Sequence, residues 1–433
     1  MNSIVSLALL SLFLPLKMIL GPVQLRPFDL MVVVLCAMTA VIAPRLPARP
    51  RPVAGFYLFC AYAAWHAFSA FLVSSGNGIR ELLQVTIILA FGGCVIALLP
   101  VLNLKRIGMF LLIGMAAVTA WSIVWHLQHG FLTGWKRLDD PKTTFTFLPT
   151  ALGCALLFAA RNRKRVYIGL WGLLGVIILL SGERKALGIY VLITAAFLAR
   201  GRFSPAPILL VGAAAAASIS LLAASNAYMA TQLQSFMDPL DSRNSFESVV
   251  RGGTPQSFSN SQRLFAVNLS RQLIAESPII GTGTNGYTDR LAQEFYYVPA
   301  FLRVNIHGEP LRVLVENGLV GLLLYLSFWI VSLRATLRSC RQLIHAWPLP
   351  PASAFILLAI LVAPLVFYAL FEGSGTHMFI VGLLVTLYPA LINEMAVRRR
   401  PDLLRAFSAS RPVGSSFPRQ QPPGFRRGRG HVA

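Results

Sequence analysis

The sequence predicts an all-α, polytopic membrane protein with about twelve membrane-spanning helices and one large loop domain outside the membrane. The chain of 433 residues is 56% hydrophobic and only 12% charged. Its apolar runs are roughly 18 to 22 residues long, which is the length that a helix needs to cross a bilayer. Residues 226–309 depart from this pattern and carry six arginines and His307. We therefore expect a catalytic loop domain on a membrane scaffold.

Hydropathy divides the chain into four regions. Residues 1–225 hold nine predicted spans, 226–310 the loop domain, 311–394 three further spans, and 395–433 a tail rich in Arg, Pro, Gly and Ser. Such a tail buries too little apolar surface to fold and is attracted to anionic lipid headgroups. The predicted spans lie near residues 3–20, 28–44, 53–73, 82–100, 107–127, 143–160, 166–181, 186–200, 206–225, 311–333, 353–371 and 376–393.

The basic residues predict the orientation, because cytoplasmic loops collect Lys and Arg. The loops assigned to one side, together with the tail, carry 23 basic and two acidic residues, whereas the other side carries 15 and 14. Both termini are therefore predicted to be cytoplasmic. The loop domain and the turns at 181–185 and 372–377 are predicted to lie outside, where the three segments are placed to build one site.

Composition also excludes several classes of site. Basic residues divided among short loops form no continuous stripe for nucleic acid. Four cysteines fall in predicted spans and Cys340 in a cytoplasmic loop, so neither a disulfide framework nor a CxxC metal site is predicted. Asp139 and Asp140 stand beside Lys136 and Arg137, which is more typical of a solvated loop than of a cation site. We predict no metal and no cofactor.

Within the loop domain, Ser259 and Gln262 form a capping-box pattern at the start of a helical repeat of apolar residues. We expect a surface helix that stops before Pro278. The run GTGTNG at 281–286 follows. It is more often an ordinary tight turn, although such a run can also present backbone N–H groups to an anion.

Three further residues have side chains suited to chemistry on an anionic substrate. Imidazole exchanges protons near neutral pH, so His307 is a candidate base, although a structural histidine is the commoner case. Arg184, in the turn SGERK, and Arg263, at the start of the surface helix, lie at the outer boundary, where an arginine invites an anionic partner. A guanidinium binds phosphate oxygens in bidentate fashion. Glu183 provides an alternative local partner for Arg184.

Three segments taken in order resemble the O-antigen ligase and O-antigen polymerase superfamily of bacterial envelope glycosyltransferases. They are SGERKAL at 181–187, SQRLFAVNLSRQLIAESPIIGTGTNGY at 261–287 and HGEPLRVLVENGLVGLLLYL at 307–326. The resemblance covers about a third of the chain and the layout of spans. The chain departs from the family pattern at Gly308, where an asparagine usually follows the histidine, and at Pro310, where an aromatic residue is common.

The resemblance implies a GT-C-like enzyme of the bacterial inner membrane that transfers a glycan from undecaprenyl pyrophosphate to a hydroxyl on the periplasmic face. It implies catalytic roles for His307, Arg184 and Arg263, with inversion at the anomeric carbon and no metal. The turn glycines and the remaining arginines are second-rank candidates for binding the donor, and an aromatic pair and a carboxylate are candidates for binding the acceptor. These residues are Gly281, Gly283, Arg271, Arg290, Arg303 and Arg312 for the donor, and Tyr296, Tyr297 and Glu309 for the acceptor.

Several acceptors remain open at this point. A ligase transfers the glycan to lipid A core oligosaccharide, a polymerase joins lipid-linked repeat units, and a protein O-oligosaccharyltransferase glycosylates serine or threonine. We favour the ligase, because the chain is compact and has a single dominant outer loop. A transporter of lipid-linked sugar is disfavoured, since the middles of the predicted spans are nearly devoid of ionisable residues. Tyr296 and Tyr297 would stack on sugar rings or, more commonly, anchor the loop at the membrane interface.

Overall fold

The computed structural model describes most of the membrane scaffold and the second half of the loop domain. The described residues are 2–11, 18–20, 23–25, 27–46, 53–73, 76–128, 141–159, 162–181, 184–199, 244–245, 247–248, 258–298, 303, 305–347, 349–371 and 375–399. The predicted ninth span, the Asp139 and Asp140 pair, and the tail beyond residue 399 lie outside them.

Helices account for nearly all of the described structure. They are α1 (Asn2–Ser11), α2 (Pro27–Ile42), α3 (Ala54–Val73), α4 (Gly76–Leu98), α5 (Leu104–Gln128), α6 (Pro141–Phe158), α7 (Lys164–Ser181), α8 (Arg184–Ala199), α9 (Phe258–Glu276), α10 (Gly286–Glu294), α11 (Glu309–His345), α12 (Ser353–Phe371) and α13 (Gly375–Arg399). Short 3-10 turns follow α2 and α4, at Ala43–Arg45 and Leu99–Val101.

The predicted first span, 3–20, needs correction. Helix α1 ends at Ser11, and Met18–Leu20 is a strand, β1, that pairs antiparallel with Val23–Leu25, β2. The residues between these strands are Gly21 and Pro22, a pair that favours a turn over a continuing helix. The apolar run at 3–20 thus contains a helix and a strand. Hydropathy could not predict this, because it measures composition and not backbone preference.

Six helical segments in the described part of the chain are long and apolar enough to cross a membrane. They are Pro27–Arg45, Ala54–Leu72, Leu82–Val101, Glu309–His345, Ser353–Phe371 and Phe379–Arg398. These coincide with six of the predicted spans, and the helical structure is consistent with a polytopic membrane protein. The total of twelve stays a prediction.

Helix α11 is the central helix and packs along α3, α12 and α13. Its core is aromatic: Tyr62 of α3 stacks on Phe379 of α13 at 5.7 Å between ring centroids, and Phe328 of α11 lies edge-on to Phe59 at 5.2 Å. Gly382 allows this approach, because a side chain there would collide with the Phe59 ring. These aromatic contacts and the absence of a side chain at Gly382 therefore allow α3, α11 and α13 to pack closely.

Polar contacts identify which helix ends share a side of the bundle. At the C-terminal end of α13, Arg398 donates to the carbonyls of Leu99 and Leu102, and the amide of Asn103 donates to the side chain of Asn2. At the opposite end of α13, Phe379 packs against the His66 ring of α3. The structure thus groups the helix ends as the charge pattern does, although the side of the membrane that each group faces stays a prediction.

The described part of the loop domain has its own small core. Helix α9 forms where the capping pattern predicts it, and it ends at Glu276, before Pro278. Its apolar face, with Phe265, Leu269 and Leu273, packs on Tyr287 and Leu291 of α10 and on Val315 of α11. This core fixes the loop domain to the N-terminal half of α11.

Candidate functional site

Helix α11 is interrupted at Gly318, whose φ of 64° and ψ of −166° are not helical. The amides of Leu319 and Val320 cannot reach their usual helical acceptors and donate instead to the carbonyls of Pro278 and Ile279, at 2.9 and 3.3 Å. The two carbonyls left open in α11 accept from the loop domain in return. Thr282 N–H donates to Val315 O and Gly283 N–H to Glu316 O, at 2.8 and 2.9 Å.

We call this reciprocal exchange, between residues 278–283 and 315–320, the clasp. Its geometry requires glycine. Gly281 and Gly318 both have positive φ, and a side-chain carbon on Gly281 would lie 2.5 Å from the carbonyl oxygen of Glu316. A side chain on Gly318 would collide with the carbonyl of Ile279. The motifs PIIGTG and ENGLVG are therefore the two halves of one backbone contact.

Helix α3 makes further hydrogen bonds to both halves of the clasp. Trp65 Nε1 donates to the carbonyl of Asn317 at 2.9 Å, and Ser69 Oγ donates to that of Glu316 at 3.0 Å. The hydroxyl of Thr284 donates to the backbone carbonyl of His66 at 3.0 Å. Three separate parts of the chain thus satisfy the polar groups that the helix break would otherwise leave open, as a buried site requires.

Four of the six amide groups of the glycine turn, those of residues 281–283 and 286, donate to carbonyls inside the protein. Gly281 N–H donates to Ser277 O, and the next two amides donate to α11. This arrangement favours the tight-turn interpretation of GTGTNG over an anion cradle. Gly281 and Gly283 act through their backbone conformation, with φ of 83° and 84°.

A buried ion pair lies directly beside the clasp. Arg312 Nε and Glu316 Oε2 are 2.9 Å apart, one helical turn from each other, and both side chains are almost fully buried. Arg312 also approaches the side-chain oxygen of Asn285 at 3.5 Å. Asn285 is left-handed, with φ 63°, and precedes α10. The pair therefore joins the start of α10 to α11.

His307 lies on the turn that enters α11. Ile306 before it is buried in the core of the loop domain, and His307 itself is half-buried. Gly308 after it has φ 103° and ψ 110°, and a side chain there would lie 3.1 Å from the carbonyl of Leu370 in α12. This conformation favours glycine over asparagine. Pro310 stands in the first turn of α11, where its missing N–H leaves no bond unmade.

The N-terminal end of α8 packs on the C-terminal end of α12. Arg184 is the first residue of α8. Lys185 beside it is buried, with Nζ 5.3 Å from the centre of the Tyr368 ring, a cation–π contact. Gly188, one turn further, makes room for Phe367. The start of α8 and the His307 turn thus both pack on the last turn of α12, at Tyr368 and Leu370.

Arg263 lies in the second turn of α9 and is half-buried. Phe265, two residues later, shares the core of the loop domain with Ile306, the neighbour of His307. The structure thereby fastens the segments of Arg263 and His307 to one core, although they are 44 positions apart in the sequence.

The other candidates differ in their surroundings. Glu309 is buried and its carboxylate accepts from the Tyr325 hydroxyl at 2.8 Å, so it is directed at the bundle and not at an open surface. Arg290 is held between Glu276 and Glu294. Arg271 and Arg303 are exposed. Tyr296 and Tyr297 are exposed and lie edge to face, at 5.9 Å between centroids.

Sequence reasoning missed the polar residues of α3 that support the clasp. His66, Ser69 and Trp65 lie in an apolar helix, where composition alone assigns them no role. A spacing signal was present, since these three residues fall within five positions near the predicted outer end of the span. Lys185 was missed because its partner, Tyr368, comes from a distant helix, and Tyr325 because its partner, Glu309, lies 16 residues away on the other side of the break in α11.

Residues 168–326 match the family model described as O-Antigen ligase. The matched segment contains α8, α9, α10 and the first half of α11, and so both halves of the clasp and every residue placed in the candidate site above except those of α3 and α12. A comparison with curated proteins gave no match.

Proposed function

We propose that this chain is an O-antigen ligase, and the match of residues 168–326 to the O-antigen ligase family model supports the proposal. The enzyme transfers a glycan from undecaprenyl pyrophosphate to a hydroxyl of lipid A core oligosaccharide. It works at the periplasmic face of the bacterial inner membrane, inverts the anomeric centre and needs no metal.

One observation carries the proposal. The His307 turn and the beginning of α8 pack on the same last turn of α12, through Gly308 against Leu370 and Lys185 against Tyr368. Arg184 precedes Lys185, so a cationic helix start and an imidazole are held at one end of the bundle. A donor with a membrane-bound tail and an anionic leaving group meets this end at the level of its headgroup.

The arginines act on the leaving group. As the bond between the anomeric carbon and the phosphate oxygen breaks, negative charge develops on the pyrophosphate. Arg184 and Arg263 stabilise that charge, and fixed cations in a site with little water are effective because they need no reorganisation. The departing undecaprenyl pyrophosphate keeps both electrons of the broken bond, and the guanidinium groups of Arg184 and Arg263 neutralise the negative charge that it gains, so a metal is not required.

His307 acts on the acceptor. The acceptor oxygen forms the new bond to the anomeric carbon from the side opposite the leaving group, and this direct attack inverts the centre. The imidazole of His307 takes the proton that the hydroxyl loses. Gly308 and Ile306 on either side fix the backbone of His307, because one contacts Leu370 and the other is buried.

The buried Arg312 has a different part. Its guanidinium is paired with Glu316 inside the protein, so it positions the start of α10 and the clasp instead of reaching the donor. The exposed Arg271 and Arg303 are placed to attract phosphate groups from outside, and Tyr296 and Tyr297 to contact the acceptor sugar.

The test is the glycan phenotype of a deletion strain, complemented with the wild type or with His307→Ala. Loss of a ligase leaves long glycan chains on undecaprenyl pyrophosphate and unmodified lipid A core. Single repeat units on lipid A would instead indicate a polymerase, and loss of glycan from protein a protein O-oligosaccharyltransferase. Either of these results would overturn the ligase assignment, as would full rescue by the His307→Ala variant. Transfer by the purified enzyme should persist in the presence of a chelator.

A further inference from the structure

The second half of α11 presents a straight apolar stripe to its surroundings. Four exposed apolar side chains recur at helical spacing on one face of this segment: Leu319, Leu323, Leu326 and Ile330. Their exposed fractions lie between 42% and 56%. In a membrane-spanning helix, such a stripe is the surface that lipid chains cover. The stripe begins at the residue that follows the break at Gly318.

The stripe is too short to cover the bilayer by itself. The exposed Arg334 marks its far limit, and fifteen residues from Leu319 to Leu333 rise about 22 Å as an α-helix. The hydrocarbon core of a bilayer is about 30 Å thick. About 8 Å of further apolar surface, or roughly one and a half helical turns, is needed beyond Leu319, where α11 is interrupted.

The loop domain supplies apolar surface at that level. The carbonyls of Pro278 and Ile279 accept from Leu319 and Val320, so the turn lies directly against the beginning of the stripe. Its side chains are exposed, with Ile279 at 62% and Ile280 at 43%. Exposing two isoleucine side chains to water costs free energy. In lipid, the same side chains continue the apolar stripe of α11.

Part of the backbone of this turn also suits a nonpolar environment, namely the carbonyls of Pro278 and Ile279 and the N–H groups of Gly281 and Thr282. Lipid offers no hydrogen-bond partners, so an irregular segment at membrane depth must satisfy its polar groups within the protein. Pro278 has no N–H to satisfy, the carbonyls of Pro278 and Ile279 are bonded to α11, and the N–H groups of Gly281 and Thr282 donate to Ser277 and Val315.

We propose that Pro278–Ile280 is a wedge inserted into the bilayer, with Ile279 and Ile280 in contact with phospholipid acyl chains. The wedge extends the lipid-facing surface of α11 past its break. Through the clasp it holds the loop domain at a fixed height over the headgroups. This inference concerns the seating of the loop domain and does not depend on which glycan or acceptor the enzyme uses.

The experiment measures the environment of a nitroxide spin label at Ile279 and at Ile280, in vesicles of phosphatidylethanolamine and phosphatidylglycerol. The full chain carries the label on Ile279→Cys or Ile280→Cys, with the five native cysteines replaced. Leu323→Cys, on the stripe, is the matched lipid control, and Gln293→Cys, exposed on α10, is the water control. Collision rates with dissolved oxygen and with a water-soluble nickel chelate are compared.

The proposal predicts that labels at 279 and 280 show the high ratio of oxygen to nickel collisions seen at 323, several-fold above the ratio at 293. A ratio equal to that at 293 would place the turn in water and overturn the proposal. Low collision rates with both reagents would mean a protein cover, such as a second copy, and would also overturn it. Loss of oxygen collisions on adding a polyprenyl pyrophosphate would also overturn the proposal, since the donor and not phospholipid would then contact Ile279 and Ile280.

Should the cysteine-free chain fail to fold, a benzoyl-phenylalanine replaces Ile279 in the chain with its native cysteines. Irradiation in the same vesicles should crosslink it to phospholipid, as at position 323. Crosslinking to a second copy, or absence of a lipid adduct when position 323 gives one, would contradict the wedge.

Discussion

Gly281 and Gly318 meet backbone to backbone, and a side-chain carbon built on Gly281 would lie 2.5 Å from the amide nitrogen of Gly318. The two residues are 37 positions apart, and both have positive φ. Each lacks a side chain where the backbone of the other segment lies. The break in α11 and the glycine turn of the loop domain are therefore a single structural element.

Gly318→Ala should destabilise the protein. The backbone conformation at Gly318 is essentially restricted to glycine and costs a side chain about 1 to 3 kcal/mol, and the new carbon would also collide with the Ile279 carbonyl. Thermal unfolding in detergent measures the loss. The control is Gly169→Ala in α7, where a side chain meets open space; removing a helical glycine should stabilise by about 1 kcal/mol. Equal midpoints for Gly318→Ala and the wild type would contradict the clasp.

Arg312→Met should be costly, because it leaves Glu316 charged and buried without its partner. Breaking a buried pair from one side costs about 3 to 5 kcal/mol. Arg290→Met is the matched control, since Arg290 also pairs with glutamates but is more than a third exposed, and such pairs contribute about 0 to 1 kcal/mol. Unfolding midpoints compare the two variants.

The double variant Arg312→Met with Glu316→Leu should recover much of the stability that Arg312→Met loses, because no charge is left buried. A double variant that is the sum of its single changes would show that the two residues are not coupled.

Two tyrosine-to-phenylalanine changes should have opposite effects. The Tyr325 hydroxyl donates to the buried Glu309 carboxylate, and its removal should cost about 1 to 3 kcal/mol. The Tyr287 hydroxyl is buried without a hydrogen-bond partner among the described residues, and burial raises the pKa of this phenol. Tyr287→Phe should therefore be neutral or stabilising. The free energy of unfolding checks both, and a large loss for Tyr287→Phe would reveal a partner for its hydroxyl.

Arg184→Ala and Arg263→Ala should each reduce glycan transfer by at least about 10²-fold, the effect of removing one preorganised charge-stabilising group. Arg184→Lys should also transfer poorly, because an ammonium lacks the planar pair of donors. Arg338→Ala, at the far end of α11, is the control for loss of an exposed arginine. Transfer is measured after confirming membrane insertion. Normal activity in both Ala variants would contradict the role assigned to these cations.

Local patterns predicted the local structure. Hydropathy predicted a span at 353–371, and the structure has the apolar helix Ser353–Phe371 there. Hydropathy works for such segments because lipid-facing helices must be apolar along their whole length. The capping pattern at Ser259 and the proline at 278 predicted α9 and its end, since both act within one helical turn. Hydropathy failed at 18–20, where the strand β1 forms in an equally apolar segment.

Contacts between distant segments could not be predicted in the same way. Nothing in ENGLVG alone predicts that its Glu316 carbonyl accepts from Gly283, or that the amides of Leu319 and Val320 donate to residues 278 and 279, because backbone atoms that every residue has make these bonds. Glu309 was a candidate for binding the acceptor, yet its position on the buried face of α11, opposite Tyr325, depends on how α11 packs. The cation–π contact of Lys185 likewise could not be predicted, because its partner Tyr368 lies 183 residues later.

The central claim is that His307 and the cationic start of α8 form one transfer site. It is tested most directly with purified protein in lipid nanodiscs, supplied with undecaprenyl-pyrophosphate-linked glycan and lipid A core, by comparing His307→Ala with His345→Ala at the other end of α11. We predict that His307→Ala loses about 10²-fold or more of the transfer rate, as removal of a general base does, while His345→Ala retains the wild-type rate. Undiminished transfer by a folded His307→Ala protein would contradict the account.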